Sequence, residues 1–421
     1  MDINLLIRIN LIFFVVITLL YSYRLFYLVV PFKKKPIQSP KHAPRHTYGI
    51  IIAARNEEAV IGDLIKSIHN QTYPAEKIKI FVIADNCTDN TAKISRDLGA
   101  IVYRRQNTGQ VGKGYALNFL FNRILTEHGK EVVDAYLVFD ADNLLDEHYI
   151  TEMNKTFSCG YDIITSYRNS KNYDSNWLSA GQSLYFLKES QYINRSRMLL
   201  GSGCAISGTG FLVSAKIINE QQGWPFHTLV EDIEFSIHHT IKGNKIAFCE
   251  NAIFYDEQPI TFEQSWNQRL RWSKGFYQVF FKYGFSLFKT IFKKRSFYAF
   301  DMLMKILPLG FLSGMIGLTN LMILSLNSFM NHETAIFSQF LFRGLQRAYL
   351  LILISGLLTL ATEWKNIDTR PRKKILSLFT FPIFMFTFIP ISLVAAFSHV
   401  EWKPIIHQET KSLALIRKKE E

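Results

Sequence analysis

Cysteine is scarce in this chain of 421 residues, with Cys87, Cys159, Cys204 and Cys249 as its four examples. No two have the close spacing of a zinc or redox motif, so they read as reduced thiols and exclude a disulfide framework. His227, His238 and His239 lack partners at metal-ligand spacing and read as ordinary surface or core residues. A complete phosphate loop is also missing, because Gly112-Lys113-Gly114 has neither the full spacing nor the Ser/Thr. Acidic residues are outnumbered, 35 against 48 lysines and arginines, for a formal net charge of +13. That balance admits nucleic acid, anionic lipid or a small anionic substrate. No basic stripe with interleaved aromatics lies on a soluble module, so nucleic acid is excluded as a partner.

What is abundant is apolar sequence, and it is concentrated at the two ends. Hydrophobic residues make up 48% of the chain and aromatics 14%, with 35 Phe. Leu5 to Val30 is long enough to span a bilayer. Arg8 and Arg24 sit near its ends, where long side chains snorkel. The run exceeds a usual signal-peptide core, and no small-residue cleavage site follows it. It closes at Pro31 and Lys33-Lys34-Lys35. Further basic clusters, Lys293-Lys294-Arg295 and Arg370 with Arg372 to Lys374, flank the later apolar runs. By the positive-inside rule these place the intervening chain in the cytoplasm.

The expected organisation is a membrane helix over residues 1–32, a linker over 33–47, a soluble domain over 48–275, an interfacial helix over 276–299, about three further membrane helices over 300–398, and a tail over 399–421. Pro308, Pro382 and Pro390 predict kinks. Four spans would put both termini outside, against which the basic tail residues Arg417, Lys418 and Lys419 argue.

Between the apolar ends the chain alternates strands and helices. Tyr48–Ala54, Ile78–Ala84 and Ala135–Phe139 read as strands. Val60, Ile61, Leu64, Ile65 and Ile68 share one helical face, and Gly114–Leu125 reads as a second helix. The alternation predicts an α/β fold with a mostly parallel, nucleotide-binding sheet. Ligands on such sheets lie beyond the carboxyl ends of the strands, so the residues there repay attention.

Asp140-Ala141-Asp142 follows the third strand directly. Two carboxylates so placed can converge on Mg2+ or Mn2+, which shares oxygen ligands with phosphate; a solvated turn is the alternative. Asp85, also at a strand end, can accept hydrogen bonds from a base or ribose, while Asp89 suits capping of the helix near Thr91. Asn56 and Glu58 suit a helix start; Arg55 sits where a ligand would be. Glu231-Asp232 either complements a helix dipole or offers Asp232 as general base to an acceptor hydroxyl. Gln268, Arg271 and Trp272 fall at i, i+3 and i+4 on one helical face, where a guanidinium can pair with diphosphate and an indole can stack on a sugar ring. An interfacial membrane helix is the competing explanation. Ser207-Gly208-Thr209-Gly210 suits either a close backbone approach to a ligand or a tight turn before the strand Phe211–Val213.

The ordered set Asp85, Asp140-Ala141-Asp142, Glu231-Asp232 and Gln268-x-x-Arg271-Trp272 resembles the inverting family 2 glycosyltransferases, in the membrane-integrated branch of cellulose, hyaluronan and poly-N-acetylglucosamine synthases. The resemblance spans Tyr48 to Gly275. It implies a GT-A fold, a UDP-sugar donor and a divalent metal. It further implies that Glu57 and Asp85 contact the nucleoside, that Asp142 with Asp140 handles metal and diphosphate, and that Asp232 is the base. Gln268, Arg271 and Trp272 would hold the diphosphate and acceptor end. The acceptor would be a saccharide, with polymerisation and export, or a lipid taking a single sugar; a catalytically silent membrane scaffold is the non-enzyme alternative. The implied setting is a bacterial cell membrane, with the catalytic domain on its cytoplasmic side. The chain departs from the family in having one N-terminal span, no gating-loop motif after Trp272, and Val230 where many members carry Thr.

Overall fold

The computed structural model describes residues 3–34, 40, 43–329, 335–402 and 407. Parts of the expected linker and tail, including Lys35 and Arg417 to Lys419, lie outside the described residues. The N-terminal run forms α1 (Ile3–Tyr21) and α2 (Arg24–Lys33), the latter carrying Pro31 inside it. Then come β1 (Tyr48–Ala54), α3 (Ile61–His69), β2 (Ile78–Asp85), α4 (Thr91–Asp97), β3 (Ile101–Arg105), α5 (Lys113–Glu127) and β4 (Ala135–Asp140). The second half of the domain runs through β5 (Leu144–Leu145), α6 (Tyr149–Phe157), β6 (Ile163–Ser170), α7 (Trp177–Lys188) with a π-helical turn after it, and α8 (Arg195–Leu199). It closes with β7 (Phe211–Ser214), α9 (Ala215–Gln221), α10 (Glu231–Lys242) and β8 (Ile246–Asp256).

These strands make one eight-stranded sheet in the order β3-β2-β1-β4-β7-β6-β8-β5. The three predicted strands are present, each within one residue of its expected end. They read as unbroken apolar runs because both faces are covered. Alternate side chains feed opposite cores: Ile51, Phe81, Ile83, Tyr136 and Val138 pack beneath α5 on one face. Ile50, Ile52, Val82, Leu137 and Phe139 pack beneath α3 and α6 on the other.

Strand direction concentrates the chemistry on one edge. β1, β2 and β4 are parallel neighbours. β7 runs antiparallel to both β4 and β6, and β8 runs parallel to β6. β1, β2, β4, β6 and β8 therefore all end at the edge where β7 begins. Residues following Ala54, Asp85 and Asp140, residues near Arg168 and Asp256, and the Ser207–Gly210 turn all emerge there.

The remaining helices sit against this domain. α11 (Phe262–Lys293) runs for 32 residues. Its later half leaves Phe281, Phe285, Phe288 and Phe292 exposed. α12 (Phe297–Ile306) and α13 (Leu309–Phe329) are separated at Pro308, where the missing amide ends helical bonding. α14 (Ala335–Thr362) follows, a helix of 28 residues. α15 (Pro371–Phe386) and α16 (Phe388–Phe397) part at Thr387, whose successor turn contains Pro390.

Among the described residues, four stretches are long and apolar enough to cross a membrane: 7–33, 309–326, 337–362 and 371–397. The last differs from the others in its surroundings. Lys373 donates to the Asp174 carbonyl and Tyr173 bonds Ser377, while Arg269 donates to Thr387 and Tyr277 to the Ser392 carbonyl at 2.6 Å. Contacts with the catalytic domain and α11 thus run along its whole length. At its end Trp402 returns to the carboxyl edge of the sheet, with the Arg55 guanidinium 5.2 Å from its ring centre.

Asp301 ties the N-terminal helix to the domain. Tyr23, just before α2, and Tyr27 within it donate to its carboxylate at 2.6 and 2.8 Å, and Arg197 of α8 donates through Nε at 2.7 Å and Nη2 at 3.0 Å. Asp301 and Arg197 are fully buried, a placement that is tolerated because every charge has a partner.

Candidate active site

A single cleft on the carboxyl edge gathers Glu57, Asp85, Asp140, Asp142, Asp232, Gln268, Arg271 and Trp272 among its lining residues. All eight residues singled out from the sequence therefore meet in one place. They arrive from three strand ends and two helices, separated by up to 215 positions.

One corner of the cleft is built from β1, β2 and β4. Asp85 is buried and pairs with the Arg105 guanidinium at 2.6 Å; Arg105 also donates to the Gln110 carbonyl at 2.8 Å. The Asp140 carboxylate accepts from Lys113, whose ammonium donates in addition to the Gly208 carbonyl at 2.7 Å. Lys113 is the residue of the incomplete phosphate loop; its place in the cleft comes from the start of α5, which no motif announces. Asp142 accepts from the Glu257 amide at 2.9 Å and from the Asn143 side chain at 3.2 Å. Burial opposes its charge, yet His407, Lys171 and Arg168 outweigh that and hold its carboxyl below the usual range.

Two local expectations change. Asn56 does not cap α3: it adopts a left-handed φ of 57° and accepts from the Thr88 amide at 2.8 Å. Glu58 accepts from the amide and side chain of Asn90, both at 3.0 Å. Both residues thus lace the β1 loop to the β2 loop, which outcompetes capping because α3 starts only at Ile61. Asp89 does serve α4, accepting from the Thr91 amide at 3.0 Å.

Glu57 sits beside a residue of the tail. His407 Nδ1 lies 3.1 Å from both Glu57 carboxylate oxygens. Burial works against the imidazolium, but Asp142 and Glu57 overcome it and push His407 up to about 10. Burial raises Glu57. Trp402 and His407 were not flagged by the sequence, because nothing local in the tail reveals that it folds back more than 300 residues.

The other corner stands on α10 and α11. Glu231 and Asp232 open α10, and the turn bearing Gly208 passes close by: a Cβ added there would lie 3.9 Å from Asp232 Oδ2. Gly208 has φ +80°, a backbone that favours glycine. Burial first, then the Asp232 charge, pushes Glu231 up to about 7; burial raises Asp232 as well, against Lys113 and Arg271. Arg271 donates to the Leu229 carbonyl at 2.9 Å, which joins the QRLRW helix to the segment before α10. The Trp272 ring meets Phe186 edge-on at 6.0 Å between centroids. Arg168 and Asp256 also line the cleft as an ion pair; burial outweighs Arg168 and lifts Asp256 to about 6.

The donor set fits a hard divalent cation whose shell is completed by substrate. Asp140 and Asp142 offer carboxylate oxygens at one strand end, while among the described residues no group of three His, Cys, Asp or Glu could hold an ion alone. Magnesium-type ions are bound in just this manner, through one or two carboxylates plus phosphate oxygens.

Comparison with known proteins agrees with this geometry. Residues 44–275, more than half of the chain, match the model of glycosyltransferase-like family 2, and the chain belongs to that family. A beta-monoglucosyldiacylglycerol synthase of Synechocystis is 26% identical over 240 residues, covering 56% of this chain and 48% of its own. A poly-beta-1,6-N-acetyl-D-glucosamine synthase of Staphylococcus epidermidis is 25% identical over 273 residues, covering 64% and 63%. The chain thus spans about half to two-thirds of the length of these relatives. A mannosyltransferase of Pyrobaculum calidifontis, solved with GDP-Man and Mn2+, superposes with a TM-score of 0.59 at 14% identity, over 91% of this chain and 97% of that one. The soluble domain has the GT-A fold.

Proposed function

We propose that this family 2 protein is a membrane-bound inverting glycosyltransferase that moves a sugar from a UDP donor to a saccharide or lipid acceptor. The observation that carries the reading is the convergence of Asp140, Asp142, Asp232 and Arg271 on one cleft. Asp85, preset by Arg105, and Glu57 would receive the nucleoside. Asp142 with Asp140 would hold Mg2+ or Mn2+, which when bound offsets the charge of the leaving diphosphate.

The chain's own residues then account for the reaction. Asp232 takes the proton from the acceptor hydroxyl as its oxygen attacks the anomeric carbon. The bond from that carbon to the diphosphate oxygen breaks on the opposite side, UDP leaves with the bonding electrons, and configuration inverts. Arg271 and Lys113 face the charge that develops on the diphosphate, and Trp272 offers its ring to the sugar. Burial keeps Asp232 more basic than an ordinary aspartate, which suits proton removal.

The membrane arrangement follows from charge. Lys34, Lys294 and Lys373, one from each basic cluster, all donate to carbonyls of the catalytic domain: Leu199, Ile241 and Asp174. The positive side and the catalytic domain therefore coincide, which supports a cytoplasmic cleft. Three segments would cross, and 371–397 would lie along the domain and bring Trp402 back to it.

Incubating the detergent-purified protein with a panel of UDP-sugars and Mn2+, with mass analysis of products, tests the reading. Release of UDP from one donor, abolished by EDTA, is expected; undiminished activity in the chelator would refute the metal assignment. A single sugar on extracted lipid selects the glycolipid reading over polymerisation.

A further inference from the structure

We propose that a buried relay, Arg168–Asp256–Gln258–Gln182, sets the polarity of the Gln268 amide and so aims its NH2 group into the cleft. The relay starts from a charge. Arg168 donates to Asp256 Oδ2, through Nε at 2.7 Å. A carboxylate so paired can only accept, so the branch of Gln258 that meets Asp256 Oδ1, at 2.6 Å, must be its NH2. The Gln258 main chain is pinned beside the pair, because Asn172 accepts from its backbone amide at 2.8 Å and donates to its backbone carbonyl at 2.7 Å.

The Gln258 Oε1 atom therefore faces Gln182, which must answer with Nε2 at 2.7 Å. That same Nε2 lies 2.7 Å from Gln268 Oε1. Gln268 has its oxygen committed, and its NH2 branch turns to the cleft it lines. Gln182 and Gln258 are each 1% exposed. The oxygen of Gln182 has no donor among the described residues. Turning that amide over would set its oxygen against two acceptor oxygens, so the charge of Asp256 dictates a direction that the Gln182 oxygen does not profit from.

The direction matters if the ligand at Gln268 can only accept. A sugar hydroxyl serves either branch of an amide, whereas a diphosphate oxygen needs the NH2. The inference rests on the proposed reaction and deepens it: Gln182 and Gln258 are positioning residues through which Gln268 meets the leaving diphosphate. Neither Gln182 nor Gln258 carries a motif signal that gives this role.

A double-mutant cycle on the full-length protein tests it. Gln182→Leu keeps the volume and removes the donor; UDP release is expected to fall at least about tenfold in kcat, since an aimed donor on developing charge is worth this much or more. In a Gln268→Leu background the same change is expected to cost nothing further, because the relay then has no target. Gln258→Met, acting from the other end, should show the same non-additivity, and it keeps the test open if Gln182→Leu does not fold. Losses that add in both cycles, or a well-folded Gln182→Leu with full kcat, would overturn the relay while leaving the glycosyltransferase reading intact. Wild-type protein inert with every UDP-sugar would remove that reading and the relay with it.

Discussion

Two acidic corners share this cleft, and their carboxylates are pushed in opposite directions. At the end of β4, Asp142 is held below the ordinary range by His407, Lys171 and Arg168. At the start of α10, burial drives Glu231 up to about 7 and raises Asp232. Asp142 keeps its charge, which suits the cation- and polyphosphate-binding role proposed for it. The second corner holds its proton more tightly, as a base that works near neutral pH should. The difference comes from surroundings: cationic side chains crowd one pair, while the other pair crowd each other in a low-dielectric pocket.

The largest expected break in this contrast is Asp232→Asn. The amide keeps shape and removes basicity, so kcat for transfer should fall by about 100- to 10,000-fold. Donor affinity, measured by calorimetry with the nonreactive UDP product, should stay within about threefold, because uniform binding does not depend on the base. A parallel loss of UDP affinity would mean that Asp232 belongs to the donor corner.

An intermediate effect is expected from pH. A base with a raised pKa is deprotonated only above that value, so kcat should decline as pH falls through the pKa of Asp232, which burial lifts above the ordinary aspartate value. A carboxylate with a lowered pKa keeps its charge well below that, so UDP affinity should change little between pH 7 and about 5. Stopped assays across this range separate the two limbs. If affinity and kcat fall together, the corners do not titrate independently.

The same contrast explains what could be read from sequence. Asp85 and Asp140 were legible because a strand buried on both faces is a dense apolar run, and the first polar residue after it must stand at the sheet edge. Gln268, Arg271 and Trp272 were legible because helical spacing puts them on one face. By contrast, Arg105, Arg168 and Gln182 gave no local signal, and Lys113 only that of an incomplete phosphate loop: each is placed by a partner 20 or more residues away, such as Asp85 for Arg105 and Asp256 for Arg168. The Asn56 reading failed for a related reason. A good capping residue was taken at face value, while the loop of β2 offered its Oδ1 a better partner in the Thr88 amide. The return of Trp402 to Arg55 is invisible to any window, because it depends on 371–397 lying along the domain.

The smallest effect should come from Arg105→Lys, and it probes whether the donor corner is preset before a nucleotide arrives. Arg105 uses its two terminal nitrogens on different partners, Nη1 on Asp85 and Nη2 on the Gln110 carbonyl. A lysine can keep the buried ion pair, so Asp85 is not stranded without a counter-charge. Its single ammonium lacks the planar fork that reaches both groups at fixed spacing. What is lost amounts to one neutral hydrogen bond, about 1 kcal/mol. Donor KM should therefore rise about fivefold with kcat unchanged, since the nucleoside end is bound alike in ground and transition states. A fall in kcat at constant KM would move Asp85 away from the nucleoside and toward the reacting sugar.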